Sequence, residues 1–497
     1  MKFKIKCKNN VVRCVIVFSC AFFLSCSDDI KLPINQEEPV NTNSTIPADA
    51  IIPLNAPFKT IVNHDGLQIP VKIYGNQKSD IVIFTIHGGP GGKIYNGVSS
   101  NLYKDYLVIS YLQRGDSGES YGVGANSLEQ KLKNTTIEDM YAETNKVFET
   151  IVERYNLKYK KFFVDATSWG GWLMLQFAYD NKTKNKSKYD VRGLISYDGM
   201  SYSVKNSFYN MVAYYKETLE ELENQYKLTK DFLLTKLGGH LSQELIEKDY
   251  ISSFFNENDY GGSGTLQKNT YDYTFKIKEL QEDGSLKTVS LSGSLADMEN
   301  LFLKTLKYNK FIINKISQDF ESDSQNYIYY EKLLKVFRLL PSISQQFLPS
   351  IVETQSKINH GLYLLSIDGE YSENKFEKAF ENYLKESKLT HNDVKDNFRY
   401  ILNEDALKKS HESIFKTIDI PLLFLKNKQD DIIPYKSIEN QCNLTPSALL
   451  YVSDGYHGII NDEKMFMKYN KETKSIEKNN SKLKDIVRLF INKNTLK

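Results

Sequence analysis

The sequence is short of the residues that staple or metallate a fold. Five cysteines occur in 497 residues, and four of them (Cys7, Cys14, Cys20 and Cys26) crowd into the first 26. Only Cys442 is left for the body of the chain, which excludes a disulfide framework there. Its setting, ENQCNLTPSAL, has no histidine pattern nearby and reads as structural. No cysteine or histidine cluster has metal-ligand spacing, so neither a metal nor another cofactor is expected. Charge of one sign is missing too. The 64 basic and 62 acidic residues nearly cancel, so no global field points to nucleic acid or to an anionic surface. Internal repeats are absent, which excludes a solenoid or a propeller.

What is present begins with a leader. MKFKIKCKNNVVRCVIVFSCAFFLSCSDD has a basic start through Arg13, an apolar stretch to Leu24 and then a polar break. That is the layout of a secretory signal, too short to serve as a membrane span. Phe23-Leu24-Ser25-Cys26 resembles a bacterial lipoprotein box, with Phe23 where leucine is usual. Cleavage before Cys26 would leave that cysteine N-terminal and lipid-modified. Val17-Phe18-Ser19-Cys20 is the second candidate, but it would leave AFFLS on the mature chain. Ser27-Asp28-Asp29 resembles the acidic tether of some surface lipoproteins of the Bacteroidota. The expectation is an exported protein held by lipid on a bacterial membrane, the outer membrane first.

The chain then divides by pattern. Residues 1–25 read as signal and 26–56 as a disordered tether, with Pro33, Pro39, Pro47 and Pro53 and no apolar period. From 57 to 200 strands and helices alternate. FKTIVNHDGLQIPVKIYG carries a hairpin signal at His64-Asp65-Gly66. DIVIFTIHGGPGG and DYLVISYLQRGDSGES each run an apolar strand into a glycine-rich loop, as in a parallel sheet covered on both faces. A helix is expected over 136–156, opened by a Thr135-x-x-Glu138 capping box, with Met140, Val147, Ile151 and Val152 inward. Residues 201–416 read as a large, mainly helical inserted cap, broken by one hairpin at YDYTFKIKELQEDGSLKTVSLSG. Alternation resumes over 417–497. The expected class is α/β, a mostly parallel helix-covered sheet with an inserted cap domain.

The candidate chemistry follows that frame. In VDATSWGGW, Ser168 closes an expected strand and opens an expected helix. A nucleophile on such an elbow needs small neighbours two residues to either side, and Ala166 and Gly170 meet the demand. The bare pattern arises by chance in roughly one chain in three of this length, so its company decides. His87-Gly88-Gly89-Pro90 follows the third strand and can bring a backbone N–H to an oxyanion. Gly89 is the first candidate and Gly88 the second, with the Trp169 N–H as the other donor. Asp430, in NKQDDIIP beyond the strand 422–425, is the candidate acid, with Asp431 adjacent. His457, flanked by Gly455 and Gly458, is the candidate base. Ser168, Asp430 and His457 thus stand in the chain order of a Ser–Asp–His triad. His87 reads as a residue that orders its loop.

These residues resemble the α/β-hydrolase superfamily and, more narrowly, the proline iminopeptidase group of serine peptidases. HGGPG at 87–91 matches that group. LQRGDSGES keeps Gln113, Arg114, Gly115, Gly118 and Ser120, but Leu112 stands where the group has aspartate. ATSWGG keeps Ser168, Trp169 and Gly170 and lacks the two leading glycines. The resemblance covers 57–200 and 417–497. It implies attack by Ser168, an acyl-enzyme and hydrolysis, with His87, Gly88, Pro90 and Arg114 in the loops around the site. It also implies cap carboxylates that read a free amine. Glu217, Glu220, Glu221 and Glu223 are candidates by charge alone, and an ordinary solvated helix face is the better reading of them. Three readings stand: an aminopeptidase, an esterase on the same triad, and a non-catalytic surface binding protein. The expected partner is a peptide or small ester, not nucleic acid.

Overall fold

The computed structural model describes residues 51–89, 105–115, 121–199, 409–428, 433–455 and 463–496, the strands 273–280, 286–293 and 365–366, and some single residues, among them Asp430, His457 and Gly458. The signal, Cys26, Pro90 and most of 201–416 lie outside them. The chain divides into two units. Pro39–Glu220, Lys310–Leu333 and Glu381–Lys497 form one; Met1–Glu38, Glu221–Asn309 and Leu334–Phe380 form the other.

The larger unit is built on one sheet. It opens with β1 (Ile51–Ile52), β2 (Phe58–His64), β3 (Leu67–Asn76), β4 (Ile81–Ile86) and β5 (Leu107–Tyr111). Helices α1 (Ala125–Lys133) and α2 (Ile137–Arg154) lead to β6 (Lys161–Thr167), α3 (Trp169–Thr183) and β7 (Asp190–Tyr197). The smaller unit contributes β8 (Tyr273–Leu280), β9 (Leu286–Gly293) and β10 (Leu365–Ser366). β8 and β9 are the hairpin read from the sequence, and β10 joins β8 in parallel. Back in the larger unit come α4 (Glu412–Thr417), β11 (Leu422–Asn427), α5 (Tyr435–Leu444), β12 (Ala448–Ser453), β13 (Met465–Asn470), β14 (Ser475–Lys482) and α6 (Leu483–Thr495).

The strand order is β1-β3-β5-β4-β6-β7-β11-β12-β13-β14, with β2 paired to β3. From β5 to β12 every neighbour is parallel, and the strands at both ends are antiparallel. The β2–β3 turn is the expected two-residue hairpin: Asp65 and Gly66 have φ of 50° and 66°, as a primed turn requires.

Successive residues of a strand face opposite sides, and β6 shows what each side holds. Phe162 meets Phe148 of α2 at 5.0 Å between ring centres, within a cluster with Phe84, Phe177 and Tyr189. Its neighbour Phe163 meets Phe490 of α6 at 6.3 Å. The sheet is therefore covered on both faces, which is why its central strands read as mostly apolar runs without alternation.

Three details differ from the sequence reading. The sheet begins at β1, since Ile51 and Ile52 pair with Asn76 and Gly75 inside the stretch read as tether. Helix α2 is capped one residue later than expected. Thr136 accepts from the Asp139 N–H at 3.3 Å and Asp139 reaches back to the Thr136 N–H at 2.7 Å, whereas the Thr135 hydroxyl is spent on the Lys131 carbonyl. The third is the β13–β14 hairpin, which had no counterpart in the reading. Its SIEKNNSK strand is mostly exposed and shows no apolar alternation.

Candidate active site

Strands β6, β7, β11 and β12 run parallel side by side, so the residues just past their carboxyl ends share one edge of the sheet. Ser168 follows β6, Asp198 follows β7, Asp430 follows β11 and His457 follows β12.

Ser168 sits at φ 52°, ψ −123° between the last residue of β6 and the first of α3. A non-glycine residue with positive φ is strained and persists only where its surroundings hold it. Here the Ser168 N–H donates to the Tyr197 carbonyl at 3.0 Å, and the Gly171 N–H donates to the Ser168 carbonyl at 2.9 Å. Gly170 explains the tightness of the turn. A Cβ there would press into the Ile86 carbonyl oxygen and stand 2.7 Å from that of His87. Ala166 is fully buried, so the methyl in place of the usual glycine is accommodated within the sheet. The Trp169 N–H is the first of α3, where a backbone donor has no partner within the helix.

The loop after β4 comes onto the same turn. A Cβ placed at Gly88 would lie 3.1 Å from the Ser168 Cβ and 3.7 Å from its Oγ. Gly89 has φ 142°, a conformation closed to side chains, so glycine is required there. His87 orders this loop rather than titrating in it. Its Nε2 accepts the Gln113 N–H at 3.0 Å, which leaves the proton on Nδ1, donated to the Gly88 carbonyl at 2.6 Å. The Gln113 amide donates back to the His87 carbonyl at 2.8 Å. Burial pushes the His87 pKa down to about 4. Arg114 lies at the buried base of the neighbouring loop. Its Nε donates to Glu143 Oε2 at 2.7 Å and its NH1 to Asp65 at 3.1 Å, which ties the loop after β5 to α2 and to the β2–β3 turn.

The candidate acid and base meet directly. His457 Nδ1 donates to Asp430 Oδ2 at 2.7 Å, and the Ile433 N–H holds Asp430 Oδ1 at 2.9 Å. Asp431 lies outside the described residues. Burial opposes a charge on His457, but the charge and hydrogen bond of Asp430, with Asp198 behind it, outweigh that cost and raise its pKa. Lys426 pulls the other way. Burial likewise opposes the Asp430 charge, yet His457, Lys426 and the Ile433 N–H hold its carboxyl well below the usual range. Of the other described histidines, His411 stacks on Trp172 at 4.0 Å and meets the Tyr141 hydroxyl, and His64 lies in the β2–β3 hairpin. Cys442 is buried and its thiol is pushed up to about 11, in keeping with a structural role.

Two residues of this edge were not picked out from the sequence. Asp198 takes four donors: Lys426 Nζ at 3.0 Å, the Asn427 N–H at 2.8 Å, Asn427 Nδ2 at 2.6 Å and the Gly458 N–H at 2.9 Å. Lys426 is fully buried and also bonds Asp430. The available signal was a lysine inside the apolar strand LLFLKN, which a buried strand tolerates only with a counter-charge. Asp198, Asp430 and His457 are the one group among the described residues whose ligand atoms lie close enough for a metal ion, within 4.8 Å. The Lys426 ammonium bonds both carboxylates, so the cluster already holds a fixed cation.

The decisive feature is architectural: a parallel sheet in this order, flanked by antiparallel strands, with a strained serine on the sharp turn after β6. This is the α/β-hydrolase fold. No known family model matches the sequence, and no curated protein matches it. Solved structures similar to the chain include these three. One is a thermophilic esterase from Thermogutta terrifontis (12% identity, TM-score 0.31, covering 81% of this chain and 91% of that one). Another is VinJ (13%, 0.35, 80% and 91%). The third is 2-hydroxy-6-oxo-6-phenylhexa-2,4-dienoate hydrolase from Rhodococcus sp. strain RHA1 (12%, 0.32, 81% and 92%). Likenesses at this level carry nothing about activity, and the α/β-hydrolase assignment rests on the sheet and the turn themselves.

Proposed function

We propose that the chain is a serine hydrolase that works through an acyl-enzyme, with Ser168 as nucleophile, His457 as base and Asp430 as the acid that orients it. The observation that carries the reading is the backbone of Ser168, a half-buried serine just past β6, held at φ 52° on the turn into α3. In this scheme His457 Nε2 takes the Ser168 proton as Oγ attacks the substrate carbonyl. The Gly89 and Trp169 N–H groups receive the oxyanion, and the leaving group departs with the proton from His457. Water then repeats the sequence on the ester. Asp430 keeps the imidazole proton on Nδ1, which leaves Nε2 as the acceptor.

Among substrates, an N-terminal residue of a peptide is favoured, proline first, on the combined HGGPG, QRG and SWGG motifs. The second reading is an esterase, favoured by Leu112 in place of the group's aspartate and by the size of the 201–416 insert. A comparison of kcat/KM on a prolyl-arylamide, its N-acetylated form and a short p-nitrophenyl ester, with Ser168→Ala as control, separates them. Cleavage of the free-amine amide that acetylation and the mutation both abolish is expected. Ester turnover alone, lost in the variant, would move the protein to the esterases. Turnover untouched by Ser168→Ala would end both readings.

We also propose export and lipid attachment at Cys26, with the hydrolase carried on a bacterial outer membrane. The box at 23–26 and the polar stretch after it support this. No described helix is long and apolar enough to cross a membrane. Mass spectrometry of the mature N-terminus should find a lipid-modified Cys26; an unmodified residue at that end contradicts it.

A further inference from the structure

The acyl-transfer scheme has no use for Lys426 or Asp198, yet both are fully buried against the residues it does use. Lys426 Nζ bonds Asp430 at Oδ2, the oxygen that also accepts from His457 Nδ1. Its other carboxylate partner is Asp198, at 3.0 Å. Asp198 in turn holds the Gly458 N–H, next to His457 in the chain, and both nitrogens of Asn427 at the end of β11. One carboxylate therefore fastens the histidine loop to the strand that carries the acid.

We propose that Lys426 and Asp198 are positioning residues for the Asp430–His457 pair, Lys426 fixing the acid and Asp198 fixing the loop of the base. The proposal rests on the reading of His457 as general base. A simple structural ion pair needs one carboxylate; this ammonium is shared between two, one of them in contact with the imidazole. The charges explain the arrangement. Two aspartates and one lysine leave a single negative charge beside His457, and an imidazolium formed during attack neutralises it. Without the lysine two negative charges would face the ring and hold its proton too tightly for a base. The groups facing His457 are Asp430, Lys426 and Asp198. Lys464 stands one residue further out, on Asn427 Oδ1.

The test is a titration of His457 by NMR in the full chain, the signal assigned with His457→Gln, for Lys426→Met, Asp198→Asn and the double variant. After Lys426→Met, Asp198 keeps three N–H donors and stays a source of negative charge, so the His457 titration should move up by about one unit. Asp198→Asn should move it down by a similar amount, and the double variant should return near the parent. All three should lose roughly tenfold to a hundredfold in kcat with KM held, because the pair is no longer fixed in place. Opposite shifts cannot come from general loosening of the core. The double variant removes one charge of each sign together and keeps the test standing if Lys426→Met alone does not fold. An unmoved His457 titration in folded Asp198→Asn, with kcat intact in the double variant, overturns the proposal. The titration is read without turnover. Shifts as expected in a protein whose Ser168 never reacts would uphold the positioning pair and sink the hydrolase reading instead.

Discussion

At the scale of single residues, the site is a set of side chains whose ordinary preferences are overridden by fixed neighbours. Ser168 is held at positive φ because Gly170 lets α3 start against the Ile86 and His87 carbonyls. Gly170→Ala should therefore abolish activity or folding, since backbone on both sides leaves the methyl no room. Circular dichroism with an activity assay would check it, and a folded, fully active variant would contradict the account. In the proposed scheme His457 sets the pH profile. Its pKa is raised above 6.5, and the base must be neutral, so kcat/KM should climb with pH through a limb whose midpoint lies above 6.5. His87 is already neutral above about pH 4 and adds nothing to that limb. A limb centred below 6.5 would mean that another group is the base.

At the scale of elements, the α2 cap shows how a sequence pattern can be right in kind and wrong in register. TTIED offers two overlapping threonine boxes. Thr136 takes the role because Thr135 is buried and donates to the Lys131 carbonyl at the end of α1. Thr136→Ala should cost about 1 kcal/mol in chemical denaturation and leave kcat/KM unchanged; a loss from Thr135→Ala with none from Thr136→Ala would reverse the assignment. The parallel strands were legible because burial on both faces leaves mostly apolar, non-alternating runs in β4, β5, β6 and β11. The β13–β14 hairpin was not, because an exposed edge strand such as SIEKNNSK has no second face to bury and leaves no period. Asp430 and His457 were picked out as candidates from where they stand after strands, and the structure brings the two together. Asp198 and Lys426 were not, because their meaning lies in β7 and β11 being neighbours, and these are separated in sequence by the whole 201–416 insert.

At the scale of the whole molecule, four parallel strands deliver one residue each to a common edge, and ion pairs fasten the loops around it. Arg114, Glu143 and Asp65 do this for the loop after β5. Glu143→Gln leaves the buried guanidinium short of its main counter-charge and should cost on the order of 3–5 kcal/mol in stability. A denaturation midpoint unchanged from the parent would show that Asp65 alone suffices. The account as a whole stands on Ser168 as a nucleophile activated by His457. The most direct measurement treats the protein with a fluorophosphonate and locates the adduct by peptide mass spectrometry. The account predicts one adduct, on the peptide that contains Ser168, absent from Ser168→Ala and formed far more slowly in His457→Gln. An unlabelled protein, or labelling that persists in Ser168→Ala, would contradict it.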